Sequence, residues 1–164
     1  MEQFCKECGT KLIKRELDRE GQVPYCTQCG QYRFPQYNVA VSMIVRNHAN
    51  GKILLIQQYG KHRNILVAGY VSPGESLEDA CARELKEETN LTAKDIAYNR
   101  SKFYEPSGTL MCNFTVTVAD DTDLHCNEEI DSFAWFTPDE AKASIAPGSL
   151  AEEFLVKYLK EEQE

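Results

Sequence analysis

Apolar residues run almost unbroken through positions 39–45 and 53–56, far short of the roughly 20 that a membrane span needs and of a length suited to buried strands. The pattern predicts strands over residues 37–46 and 52–58, with Asn50-Gly51 as the hairpin turn between them. Residues 110–118 alternate well enough for another strand, and 131–136 form a shorter one. Ser76 caps a predicted helix, with Asp79 three residues on as a partial capping box. Thr137-Pro138 opens a second helix, threonine as cap and proline at the first helical position. Ser149 opens a third, whose Leu150, Phe154, Leu155, Tyr158 and Leu159 make an apolar stripe. Strands around one helix, covered by a terminal helix, describe an α/β fold built as a sandwich with a mixed sheet. The chain shows no internal repeat and no low-complexity tract.

The helix after Ser76 changes character along its length. With Glu84 set at zero, a step of about 100° per residue puts Glu87 near about −60° and Glu88 near about +40°, so three carboxylates share one stripe. Leu77, Ala80 and Cys81 fall on it too, whereas Asp79, Arg83 and Lys86 project to the side where solvent is expected. The stripe that should face the protein starts apolar and ends acidic. Two readings follow from the spacing: a solvated acidic face, or inward carboxylates that need cations. Clustered like charges raise one another's pKa unless a cation compensates, and Mg²⁺ or Mn²⁺ suits an all-oxygen donor set.

The full run from Gly69 to Leu91 fixes glycine, Glu75, then Arg83-Glu84-Leu85, Glu87-Glu88 and a final leucine. That pattern resembles the Nudix box, the signature of hydrolases that cleave nucleoside diphosphates linked to another group. Asn90 stands where the family has glycine; asparagine best tolerates the left-handed conformation expected at this helix end. The resemblance implies that Glu84 and Glu88 are metal ligands, that Glu87 supports the site and that Arg83 orients the carboxylates. It places Glu75 in the outer part of the site.

A second motif opens the chain: Cys5-Lys-Glu-Cys8, then Cys26-Thr-Gln-Cys29 seventeen residues later. Two short knuckles at this spacing suit tetrahedral Zn²⁺, whose ligands converge at about 2.3 Å, and Gly9 and Gly30 follow each knuckle where a tight turn favours glycine. Disulfide pairing is the competing reading. It is disfavoured because nothing at the Met1-Glu-Gln-Phe start resembles a signal peptide and the seven cysteines are an odd number. Four thiolates would fill the sphere, so the zinc is expected to be structural. The expected domains are a zinc ribbon over 1–34 and a Nudix domain over 35–164.

A zinc ribbon followed directly by a Nudix box resembles the NADH pyrophosphatases. The likeness extends through Tyr32-Arg33-Phe34-Pro35-Gln36, His62-Arg63-Asn64, Leu66 to Tyr70, Glu129-Ile130 to Trp135-Phe136 and Ala146-Pro147-Gly148-Ser149-Leu150-Ala151. It implies that the backbone carbonyl of Ala68 and the carboxylate of Glu129 join Glu84 and Glu88 around the catalytic metals. Phe34 and Tyr70 match aromatic positions that handle the bases, where a flat ring is a sensible platform; as plain aromatics, either could equally fill a core. Ala151 corresponds to a substrate-contacting position. The family's dinucleotide-specificity segment, however, is replaced here by Ser101-Lys-Phe-Tyr-Glu-Pro-Ser107, in which only the leading serine keeps its place.

Composition bounds the remaining choices. A chain of 164 residues has room for one sizeable core plus a ribbon that needs its metal to fold. The net charge of −8 argues against broad nucleic-acid backbone binding, although Lys6, Lys11, Lys14, Arg15 and Arg19 make a local basic patch. A soluble cytoplasmic enzyme without membrane partners is expected, and homodimerisation is suggested by the family alone. Three readings stay open: a metal-dependent pyrophosphatase of NADH or NAD⁺, the same enzyme class acting on ADP-ribose or another nucleoside diphosphate derivative, and a zinc-ribbon nucleotide-sensing module. A sensor that had lost catalysis would have little need of Glu84, Glu87, Glu88 and Glu129 together.

Overall fold

The computed structural model describes residues 3–162; the Met1-Glu2 start read above for a leader lies outside them, as do the last two residues. The chain divides into two compact units, 1–37 and 38–164.

In the N-terminal unit, β1 (Ile13–Leu17), β2 (Gly21–Cys26) and β3 (Gln31–Tyr32) form an antiparallel sheet in that order. Little apolar area is buried besides Cys5, Val23 and Cys26. Tyr25 and Tyr32 pack edge to face at 5.0 Å between ring centres, and the Arg15 guanidinium covers Tyr25 at 4.5 Å. So small a core is unlike that of a self-sufficient domain.

The second unit is built on a six-stranded mixed sheet. Its strands are β4 (Asn38–Asn47), β5 (Ile53–Gln58), β6 (Val67–Tyr70), β7 (Ala93–Tyr104), β8 (Thr109–Val118) and β9 (Ile130–Phe136). The order is β7-β8-β4-β5-β9, with β6 also on β4; only β4 and β8 run parallel. Three helices cover the sheet: α1 (Leu77–Thr89), α2 (Pro138–Ser144) and α3 (Leu150–Glu161). Alternation along the strands feeds two cores. Val41, Met43, Val45, Leu54 and Ile56 pack with Ala80, Cys81 and Leu85 of α1, whereas Ile44, Ile53 and Leu55 pack with Ala141, Phe154, Leu155 and Tyr158 of α2 and α3. Helices therefore lie on both faces, which is the expected sandwich.

The caps agree with the sequence. Ser76 Oγ accepts from the Asp79 N–H at 3.1 Å, Ser149 Oγ from the Glu152 N–H at 3.0 Å, and Thr137 with Glu140 forms a reciprocal capping box. Asn90 is left-handed at φ 59°. The hairpin differs from expectation: β4 and β5 pair at Arg46 and Ile53, so the loop holds four residues, His48 to Gly51, instead of two. Asn47 causes this, because its Oδ1 accepts the Ala49 N–H and winds the chain inward one step early.

Two features position the site. β4 shares one edge between β6, along Ala40 to Met43, and β5, at Arg46, so the sheet forks there. Strand β7, unforeseen in the sequence, forms the opposite edge; its Lys102 and Arg100 pair with Glu153 and Glu161 of α3. Among the described residues no helix is long and apolar enough to cross a membrane.

Candidate functional site

Four carboxylates and one guanidinium meet beside the fork. Arg83 donates through Nε and an NH2 nitrogen to both oxygens of Glu75, at 2.7 and 2.9 Å. Its other nitrogen reaches Glu84 at 2.7 Å and Glu87 at 3.2 Å, and NH2 also binds the Tyr70 carbonyl at 3.0 Å. The helical projection had put Arg83 on the solvent side. The long side chain instead folds back across α1, because a planar fork of donors gains more from three carboxylates than from water. The guanidinium holds the Glu75 carboxyl down to about 2, helped by the Ser72 N–H. Asp79 and Lys86 are exposed as expected.

Glu88 has no such cation. It is 4% exposed, and its Oε2 is buried without a hydrogen-bond partner. Burial first, then the charges of Glu84, Glu129 and Glu87, push its carboxyl up to about 7. The Gln58 side chain works the other way, by more than the charge of Glu129 or of Glu87 taken singly, although its Nε2 is itself buried and makes no well-formed hydrogen bond. A buried carboxylate oxygen without a donor, ringed by further carboxylates, is a site short of positive charge. Its donors are all hard oxygens, the set that suits Mg²⁺ or Mn²⁺.

The surrounding positions came out as follows. Ala68 lies on β6 opposite Ser42, next to Gly69, whose backbone bears directly on the Glu84 side chain. Glu129 sits in the exposed turn before β9 and accepts from the Tyr59 hydroxyl at 3.3 Å. Glu87 is exposed, at the rim. Phe34 and Tyr70, 55% and 57% exposed, fill no core; Phe34 belongs to the N-terminal unit and Tyr70 ends β6. Ala151 packs at the edge of the second core, on the face opposite α1 and outside the carboxylate group. Lys102, within the divergent 101–107 segment, pairs with Glu153 two residues from Ala151.

Gln58 and Tyr59 were missed, and Gly69, the first fixed residue of the box, was not given its contact with Glu84. A glycine within a strand warns of close backbone approach, and that signal was available for Gly69. Tyr59 carried none beyond its place before a glycine.

The four N-terminal cysteines converge, with all sulfurs within 4.8 Å of one another. Cys8 lies 3.4 Å from Cys29 and 3.5 Å from Cys26, and Cys5 lies 3.9 Å from Cys29. Tetrahedral bonds of about 2.3 Å imply edges of about 3.8 Å, so the cluster fits a metal. No disulfide joins any of the seven cysteines in the structure. Gly9 and Gly30 are left-handed, at φ 71° and 67°, and donate to the carbonyls of Cys5 and Cys26. Arg33 Nε, 3.3 Å from Cys5 Sγ, holds that thiol down to about 6 and favours a thiolate ligand.

The NUDIX domain model matches residues 36–154. The chain belongs to the NUDIX family. NUDIX domains are hydrolases of pyrophosphate bonds that generally use divalent metals, and the carboxylate cluster lies within the matched region. Among curated proteins the chain is similar to the chloroplastic Nudix hydrolase 19 of Arabidopsis thaliana, 33% identical over 152 residues, covering 88% of this chain and 34% of that one. It is also similar to the NAD-capped RNA hydrolase NudC of Mycobacterium tuberculosis, 36% identical over 121 residues, covering 73% and 39%. The chain thus spans little more than a third of the length of these two relatives. A crystal structure of a NUDIX hydrolase from Nitrosomonas europaea shares the fold, with a TM-score of 0.67, 22% identity and coverage of 99% and 93%.

Proposed function

We propose that this NUDIX domain hydrolyses the diphosphate linkage of a dinucleotide of the NADH or NAD⁺ type, free or at the end of an RNA, releasing two mononucleotides or their RNA-linked equivalent. The observation that carries the reading is the buried, unpartnered Glu88 oxygen among Glu84, Glu87 and Glu129. Glu84, Glu88, Glu129 and the Ala68 carbonyl would hold Mg²⁺ or Mn²⁺. Bound there, the ions would neutralise the diphosphate and make a water acidic enough to attack it.

The protein's own part is positioning. Arg83, clamped by Glu75, fixes the Glu84 carboxylate, and Glu87 closes the rim. The exposed ring of Tyr70 borders the site and offers a face for a base. Cys5, Cys8, Cys26 and Cys29 hold a structural zinc in a ribbon whose core is too small to stand alone. Names of relatives that act on NAD-capped RNA support the NAD-type substrate.

The second reading, ADP-ribose or another nucleoside diphosphate derivative, is favoured by the 101–107 segment, whose sequence departs from the dinucleotide-specificity segment and which ends β7 in an exposed Glu105–Ser107 turn. The test sets NADH, NAD⁺, ADP-ribose, a nucleoside triphosphate and an NAD-capped oligoribonucleotide side by side with Mg²⁺ or Mn²⁺, with products separated by chromatography. Fastest cleavage of an NAD-type compound, giving a nicotinamide mononucleotide, is expected. Fastest cleavage of ADP-ribose overturns the dinucleotide reading, and no turnover at all overturns the hydrolase reading in favour of a sensor.

A further inference from the structure

The chain makes an abnormal corner where β5 ends. Gln57 pairs with Ser132 but Gln58 pairs with Ile130, so the ladder slips and Asp131 drops out of register. The freed Asp131 carboxylate accepts the Gly60 N–H at 2.7 Å. Tyr59 and Gly60 are then both left-handed, at φ 57° and 66°. Glycine takes that conformation readily, whereas a large aromatic residue seldom does. Strain of this kind persists only where its surroundings enforce it, and it collects at functional sites.

The corner sends the Tyr59 hydroxyl to Glu129. That hydroxyl, 3.3 Å from Oε2, is the one donor to the Glu129 carboxylate among the described residues. The turn bearing Glu129 is itself fixed, since the Asn127 N–H donates to the Glu88 carbonyl and the Glu129 N–H to Asn127 Oδ1. Only the side chain is left to settle, and an exposed glutamate otherwise samples several rotamers. Tyr59 as a whole residue is 69% exposed, so packing does not explain why the chain accepts the strain.

We infer that Tyr59 is a positioning residue that holds the Glu129 carboxylate toward Glu84 and Glu88 for catalysis. The inference rests on the proposed role of Glu129, and the test separates the two. Tyr59→Phe, Glu129→Gln and the double variant are assayed with Mn²⁺ on the best substrate of the panel, each with a melting curve. Removing one hydrogen bond to a charged group should lower kcat about 5- to 20-fold in Tyr59→Phe, with KM within about twofold and an unchanged melting temperature. The double variant should be no slower than Glu129→Gln, because Tyr59 acts through that carboxylate. Unchanged kcat in Tyr59→Phe, or additive losses in the double variant, overturns the inference while leaving the role of Glu129 intact. Full turnover in Glu129→Gln overturns the reading of the site itself, and this inference with it.

Discussion

A Cβ placed on Gly69 would stand 1.9 Å from Cδ of Glu84 and 2.2 Å from its Oε1. The backbone of β6 and the carboxylate of α1 are thus in direct contact, and the absence of a side chain at position 69 sets where Glu84 can sit. Gly69→Ala needs no left-handed backbone, and the group that must yield is the end of a flexible side chain. The fold should therefore survive, with the melting temperature within about 3 °C of wild type, while the displaced carboxylate lowers kcat by about 10-fold or more. Parallel thermal and kinetic measurements check this; loss of folding with normal activity per folded molecule would contradict it.

Arg83 should not be replaceable by lysine. A single ammonium cannot span Glu75, Glu84, Glu87 and the Tyr70 carbonyl as the guanidinium does. Arg83→Lys is expected to lower kcat/KM by about 10- to 100-fold, on the scale of a lost bidentate pair at a reacting centre. Steady-state kinetics read the outcome, and near-normal kcat/KM would mean that the fork geometry is unimportant.

Two carboxyls give opposite pH signatures. Glu88 has its pKa raised from 4.5 to about 7, so its contribution to stability is complete below about pH 4.5 and lost as pH rises through 7. Glu75, lowered from 4.5 to about 2, contributes fully above about pH 4.5 and loses that contribution as pH falls toward 2. Without added Mg²⁺ or Mn²⁺, the melting temperature should fall between about pH 5 and pH 7.5, and Glu88→Gln should flatten that decline. Added Mn²⁺ should raise stability more at the upper end, where Glu88 is ionised. A melting temperature independent of pH over that window would contradict the assignment.

Cys26 is fully buried among the four clustered thiols. Cys26→Ser should release zinc and unfold the N-terminal unit before α1 is affected. Metal analysis and limited proteolysis would follow both events. Zinc retained at one per chain would show that the cluster is not the binding site.

Most of the second unit was legible because its strands and helices carry strong periods: the apolar runs of β4 and β5, the stripe of α3, the caps at Ser76, Thr137 and Ser149, and the left-handed Asn90. Strand β7 was not, since it is a sheet edge whose residues are largely exposed or tied by charge to α3, leaving no alternation to read. The site was half legible. Helical projection identified the shared stripe of Glu84, Glu87 and Glu88, but it follows Cα positions and so misplaced the long Arg83 side chain. Tyr59 depends on a register slip between β5 and β9, a tertiary event with no local pattern.

The most direct test of the account is turnover by Glu84→Gln with Mn²⁺ on the best substrate of the panel, alongside its melting curve. Glutamine keeps the shape beside Gly69 and removes only the charge. The account predicts an intact fold and turnover reduced by about 100-fold or more; turnover within about twofold of wild type would show that this carboxylate cluster is not where the diphosphate is cleaved.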